Sequence, residues 1–187
     1  MSKERPTLGL VGSACGGLES IRGEIVEPLL VLGWEIAVTL TPTAGVWLEA
    51  SGERAKLEQV TGYPVRVEAR LPGEDGSHPP VDCYAVVPAS ANTVAKLALG
   101  LADNQAMTTA CEALGEGRVP VVVFPRVNAA HARQPAWSSH VAGLRSVGVD
   151  LIYGDDVWPL HEPRSAPGRQ LPWQIIRDRI RAAVQPA

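Results

Sequence analysis

Short apolar runs alternate along this chain with stretches whose apolar residues recur every third or fourth position. The runs Thr7–Val11, Glu35–Leu40, Val65–Ala69, Tyr84–Val87, Val119–Phe124 and Leu151–Tyr153 have the length and β-branching of buried strands. Between them, helical spacing covers Leu18–Leu32, a segment carrying Val46, Trp47 and Leu48, then Glu53–Val60, Thr93–Leu99, Ala106–Leu114 and Pro135–Val147. Gly33, Gly62, Gly115 and Gly148 stand where these helices should stop. A helix over Trp173–Val184 closes the chain, after a proline- and charge-rich stretch, residues 154–170, that reads as an irregular flap. Strands alternating with helices predict an α/β fold, a mostly parallel sheet with helices on both faces.

The polar residues that follow the strands carry the candidate chemistry. Pro88 should stop the fourth run, because proline cannot donate to a sheet ladder. Ser90, Asn92 and Thr93 then sit where a strand end meets a helix start, and backbone N–H groups there favour an anion. On these residues alone two readings stay open: a turn that binds a phosphate-bearing ligand, or an ordinary helix cap with Thr93 capping and Ser90 in the turn. Gly12-Ser13-Ala14-Cys15-Gly16-Gly17 follows the first strand, and its glycines allow backbone to approach a ligand closely. Neither G-x-G-x-x-G nor a P-loop is present. Cys15 reads as a small apolar spacer. Thr41-Pro42-Thr43-Ala44 opens the next helix and suits either capping or phosphate binding. Pro125-Arg126-Val127-Asn128 ends another strand, and Asn128 alone reads as a turn residue bonding its own backbone. His78 lies in the breaker-rich loop Pro72–Pro80. In open parallel sheets, ligands bind at the carboxyl ends of strands, which is where these turns fall.

Composition narrows the class. The 187 residues are 45% hydrophobic and 20% charged, consistent with one globular domain over residues 1–187. A net charge of -3 argues against nucleic acid or an anionic membrane as partner. No apolar run approaches the roughly 20 residues that span a bilayer, and the first residues lack the apolar core of a signal peptide. Three cysteines without zinc-type spacing suggest reduced thiols, no metal site and a cytoplasmic protein. The adjacent pair Asp155-Asp156 reads as solvated loop. Five tryptophans suit core packing or surfaces covered on self-association.

The hexapeptide Pro88-Ala89-Ser90-Ala91-Asn92-Thr93, followed by Lys96, Gly100 and Ala102-Asp103-Asn104, resembles the signature of the homo-oligomeric flavin-containing cysteine decarboxylases. That family includes phosphopantothenoylcysteine decarboxylases and the peptidyl-cysteine decarboxylases of lanthipeptide and thioamide-peptide biosynthesis. The resemblance runs in patches from about Leu8 to Tyr153. It implies a single Rossmann-like, flavodoxin-type domain that binds FMN. Gly12 and Ser13 would contact the phosphate, and Thr41, Thr43 and Ala44 would close over it. Pro88, Ala89, Ser90, Asn92, Thr93 and Asp103 would complete the cofactor site. Pro125 and Asn128 match the family's substrate turn, with Val127 and His131 where the family has methionine. Asn128 would hold the substrate carboxylate, with Arg126 and His131 beside it. The family's catalytic histidine comes from the loop that here holds His78, although the segment from this residue to the strand is shorter. His131 is the reserve candidate for the base.

The same resemblance implies a trimer, or a tetramer of trimers, with flavin near the subunit boundary. The implied reaction is oxidative decarboxylation of a C-terminal cysteine in a peptide, or of a small cysteine-containing substrate. Flavin oxidation of the Cβ–SH group gives a thioaldehyde, whose C=S accepts the electrons released with CO2 and leaves an enethiol. A phosphopantothenoylcysteine decarboxylase would also reduce that enethiol with a flap cysteine, and this chain has no cysteine after Cys111. A flavin prenyltransferase shares the fold but differs at the hexapeptide. A flavin-binding regulatory or scaffold subunit without turnover is the reading from another class.

Overall fold

The computed structural model describes residues 5–69, 71–74, 76 and 78–184. Strands β1 (Thr7–Gly12), β2 (Glu35–Leu40), β3 (Cys83–Ala89), β4 (Val121–Pro125) and β5 (Asp150–Leu151) form one sheet in the order β2-β1-β3-β4-β5. Every pairing is parallel, so this is the expected doubly wound α/β fold. The order reverses between β1 and β3, the point at which such sheets open a crevice.

Side-chain alternation along the strands divides the core in two. Leu8, Leu10, Ala85, Val87, Val122 and Phe124 face one side, where they pack with Ile21, Ile25, Leu29, Trp173, Ile176 and Ile180. Val11, Val86, Val121 and Val123 face the other and meet Val94, Met107, Trp137, Val141 and Leu144. Strands apolar on both faces are what a sheet covered by helices requires. Gly9 is fixed by packing, since a Cβ there would lie 2.4 Å from the Tyr84 ring.

The helices follow the expected spacing, with differences that have local causes. The long helix expected over Leu18–Leu32 is a 3₁₀ turn (Leu18–Ser20), a π turn (Arg22–Val26) and a short α1 (Glu27–Val31). Pro28 has no N–H for the Glu24 carbonyl. Arg177 of the last helix supplies the missing donor, with Nη1 2.7 Å from that oxygen. Helices α2 (Pro42–Ala50) and α3 (Glu53–Thr61) follow β2. Then come α4 (Ala91–Leu99), α5 (Gln105–Glu116), α6 (Ala129–Ala132), α7 (Trp137–Ser146) and α8 (Trp173–Ala183).

Two strand expectations are corrected. Val65–Ala69 forms no strand; Arg66 alone bridges to Thr39, its N–H on the Val38 carbonyl at 2.9 Å and its own carbonyl accepting from Leu40 at 2.7 Å. Nor does Pro88 stop β3, which runs on to Ala89. The register shifts between Val86 and Ala89, so β3 carries one residue more than β4 there, and the bulge removes the need for a donor at Pro88. Residues 154–170 carry no helix or strand, and among the described residues no helix is long and apolar enough to cross a membrane.

Candidate functional site

The carboxyl ends of β1, β2, β3 and β4 bring the predicted turns together, and backbone bonds tie them. Thr41 N–H donates to the Gly12 carbonyl at 3.0 Å, Ser13 N–H to Pro88 at 3.2 Å, and Arg126 N–H to Ala89 at 2.7 Å. Ser13 is 2% exposed and acts as a clasp. Its hydroxyl donates to the Pro88 carbonyl at 2.8 Å and accepts from Ser90 N–H at 2.8 Å. The β1 and β3 turns are thereby held at a fixed separation.

These turns enclose a cleft of about 580 Å³, within the range of small-molecule sites. Of the predicted residues, Ser13, Thr41, Thr43, Ser90, Asn92, Thr93, Asp103, Arg126 and His131 line it. Gly12, Ala44, Pro88 and Ala89 are buried behind its wall; a Cβ on Gly12 would meet Leu40 at 2.9 Å. Ser90 caps α4, its Oγ accepting from Thr93 N–H at 3.2 Å, with the two hydroxyls 3.0 Å apart. The capping residue is therefore Ser90 and not Thr93. Thr41 precedes α2 without a side-chain cap bond, so capping does not account for its hydroxyl. Lys96 grips Asp103 at 2.6 Å, and that contact holds the Asp103 carboxyl below its usual range. Burial pushes the Cys15 thiol up to about 11, against weaker opposing effects of the Ser13 hydrogen bond and the Arg126 charge. It is a neutral thiol at physiological pH.

The turn after β4, Pro125–Asn128, sits beside this cleft. Asn128 Oδ1 accepts from His131 N–H at 3.0 Å and caps α6, which leaves its amide nitrogen to donate elsewhere. Asn128 lines a second, smaller cavity of about 230 Å³, and Arg126 lines both. His78 is not brought to the cleft. Its Nε2 lies 2.8 Å from the Pro64 carbonyl, and burial lowers its proton affinity.

Sequence reasoning missed Cys15, Lys96, Asn104 and Met107 as lining residues. Lys96 and Asn104 lie inside the quoted signature, so their signal was available; Cys15 and Met107 carried none. The hydroxyls of Thr41 and Thr43 and the N-terminus of α4 together suit a flat polar ligand bearing a phosphate. No group of His, Cys, Asp or Glu among the described residues could hold a metal.

Comparison with known proteins points the same way. A cysteine/cysteine sulfinic acid decarboxylase of an unknown prokaryote is 35% identical over 71 residues, covering 38% of this chain and 19% of that protein. The coenzyme A biosynthesis bifunctional protein CoaBC of Escherichia coli K12 is 28% identical over 184 residues, covering 95% and 43%. The chain thus spans less than half the length of these curated relatives. Among solved structures, the FMN-dependent cysteine decarboxylase SpaF matches at 26% identity and TM-score 0.64, covering 97% of this chain and 95% of that one. TvaF, an FMN-dependent cysteine decarboxylase from thioviridamide biosynthesis, matches at 25% identity and TM-score 0.61, covering 82% and 93%. The flavoprotein family profile matches residues 7–185, and the chain belongs to that family.

Proposed function

We propose that this chain binds FMN in the cleft and oxidatively decarboxylates the C-terminal cysteine of a peptide to an enethiol. The observation that carries the reading is the convergence of Ser13, Thr41, Thr43, Ser90, Asn92 and Thr93 on one cleft, with Asn128 at the next strand end. Membership of the flavoprotein family and the likeness to SpaF and TvaF support it.

In this reading Thr41, Thr43 and the α4 N-terminus hold the phosphate, and Asn92 and Thr93 orient the cofactor. Bound FMN supplies a two-electron oxidation of the cysteine Cβ–SH group, giving the electron sink that loss of CO2 requires. The Asn128 amide nitrogen donates to the reacting carboxylate, while its Oδ1 stays on His131 N–H and fixes the rotamer. His78 takes the proton from substrate. Because it lies outside the cleft of its own chain, a second copy delivers it. The chain is accordingly a homo-oligomer, a trimer or a tetramer of trimers. A groove of about 950 Å³ lined by Val46, Val65, Val67 and Leu71, with Val46 and Leu71 exposed, supports self-association on this face. The free thiols support a cytoplasmic location. The match to CoaBC over 95% of the chain favours phosphopantothenoylcysteine as a second substrate reading. That reading lacks the flap cysteine needed for the return reduction.

The test is incubation of the FMN-loaded protein with cysteine-ended peptides and mass spectrometry of the product. Loss of CO2 and two hydrogens is expected. Loss of CO2 alone would support the second reading, and binding of FMN with no turnover of any cysteine substrate would leave only a flavin-binding subunit.

A further inference from the structure

The smaller cavity, walled largely by residues between 158 and 169, carries three arginines. Arg126, Asn128, Trp158, His161, Arg164 and Arg169 line it. The Arg126 and Arg169 guanidiniums lie 4.8 Å and 4.0 Å from the centroid of the Trp158 ring. One indole therefore holds two cations close to each other. Burial and the neighbouring Arg126 charge both lower the proton affinity of Arg169.

No described carboxylate neutralises this group. Glu162 is the cavity's acidic residue, and Arg133 engages both of its oxygens, at 2.6 and 2.9 Å. Arg126, Arg164 and Arg169 form no ion pair among the described residues. Arg126 Nε is in addition buried without any partner. A buried donor left unpaired costs free energy that an anionic acceptor would recover. Arg164 holds a left-handed backbone (φ 64°), which few non-glycine residues adopt.

One carboxylate does not use this many donors. In the proposed reaction, on which this argument rests, the reacting carboxylate falls to Asn128, which lines the same cavity. The guanidiniums remain without a counter-charge, Arg169 donating to the neutral Pro159 carbonyl. At about 230 Å³ the cavity is smaller than sites that enclose a whole ligand, so it takes an end group. We infer that this cavity is a second anion subsite, which recognises the side-chain carboxylate of an aspartate or glutamate immediately preceding the reacting cysteine. Paired guanidiniums suit a planar carboxylate, which they can bind through parallel N–H bonds.

The experiment uses the FMN-loaded protein and two peptides that differ only in ending Glu-Cys or Gln-Cys. The interaction is remote from the reacting atoms and made equally in ground and transition states, so it should appear in KM and not in kcat. A KM lower by roughly tenfold or more for the Glu-Cys peptide is expected for a charge-assisted pair. In Arg169→Gln and in Arg164→Gln the ratio between the two peptides should shrink toward one, and Arg169→Lys should retain part of it. Equal KM values in the wild-type protein would overturn the inference, as would a preference that survives both glutamine variants. Inert peptides ending Glu-Ser and Gln-Ser, titrated calorimetrically, judge the subsite apart from the chemistry. If no cysteine peptide turns over but Glu-Ser binds roughly tenfold tighter than Gln-Ser, the subsite stands and the proposed reaction falls. If the cysteine peptides turn over but the serine pair binds equally, the reaction stands and the subsite falls.

Discussion

Replacing Ser13 by alanine should loosen the framework of the cleft before any ligand is considered. Besides a long contact with the Cys15 thiol at 3.8 Å, the Ser13 hydroxyl makes two short hydrogen bonds, to the Pro88 carbonyl and from Ser90 N–H, both at 2.8 Å, at a site 2% exposed. After truncation the Pro88 carbonyl still accepts from Ser13 N–H, so its loss is about 0.5–1.5 kcal/mol. Ser90 N–H, half-buried at the cleft wall, has no second partner among the described residues, and a donor left unsatisfied there costs up to about 1–3 kcal/mol. A central figure of about 2–3 kcal/mol corresponds, for a chain of this size, to a fall in melting temperature of about 4–12 °C. Thr41→Val is the matched control, because the Thr41 hydroxyl makes no cap bond and its loss should leave the unliganded protein within about 0.5 kcal/mol of wild type. That same substitution should weaken FMN binding by about 2- to 12-fold, the value of one hydrogen bond. The assays are thermal unfolding of the FMN-free proteins by circular dichroism, and FMN titration by flavin fluorescence. A Ser13→Ala protein melting within about one degree of wild type would refute the clasp. Unchanged FMN affinity in Thr41→Val would remove this hydroxyl from the cofactor site.

Asn128→Asp keeps the acceptor that caps α6 but places a negative charge opposite the substrate carboxylate; it should bind FMN normally and lose at least about 10–150-fold in kcat/KM, and wild-type turnover would dismiss Asn128 as the carboxylate ligand. His78→Ala should slow turnover by about a hundredfold or more. Co-assembled His78→Ala and Asn128→Ala chains should regain activity, whereas an active His78→Ala with an inactive His131→Ala places the base on the substrate turn. Near neutral pH, iodoacetamide should label Cys111 ahead of Cys15 and Cys83, whose thiols burial pushes up to about 11 and about 12; peptide mapping that finds Cys15 labelled first would contradict its neutral state. Burial makes folded His78 a weaker base than its unfolded counterpart. The stability this neutral ring confers is therefore complete above the ordinary histidine range and declines as pH falls below about 6.5. Urea midpoints should drop less in His78→Gln than in wild type between about pH 8 and pH 5, and an equal drop would show that His78 carries no such linkage.

The alternation of strands and helices, and the polar turn after each strand, were legible because burial on both faces and the strand-end position impose strong local patterns. What failed did so where the decisive partner is distant. Val65–Ala69 has a strand's composition, but β2 accepts only Arg66. Leu18–Leu32 has a helix's period, and only Arg177, far along the chain, shows how the Pro28 defect is met. Pro88 obeys its rule once the register of β4 is known. In the site, hydroxyls at strand ends announced themselves, whereas the Trp158 stack on Arg126 and Arg169 joins residues with no shared motif. His78 shows the limit most clearly: its place in the sequence suggests chemistry, and its place in one chain does not.

The two borders of the sheet bear on whether a foreign strand can join it. At one border β5 has only two residues, and Arg179 clasps Asp150 there with two of its guanidinium nitrogens. At the other, Arg66 takes its two backbone bonds from β2 and the chain turns away. Among the described residues, β5 is too short to template a foreign strand, and Arg66 occupies the outer side of β2 at Val38 and Leu40. Growth by strand addition, one route to fibres, is thereby hindered at both margins. The trimer proposed above would then be built on helix surfaces and side chains, as a closed ring of copies.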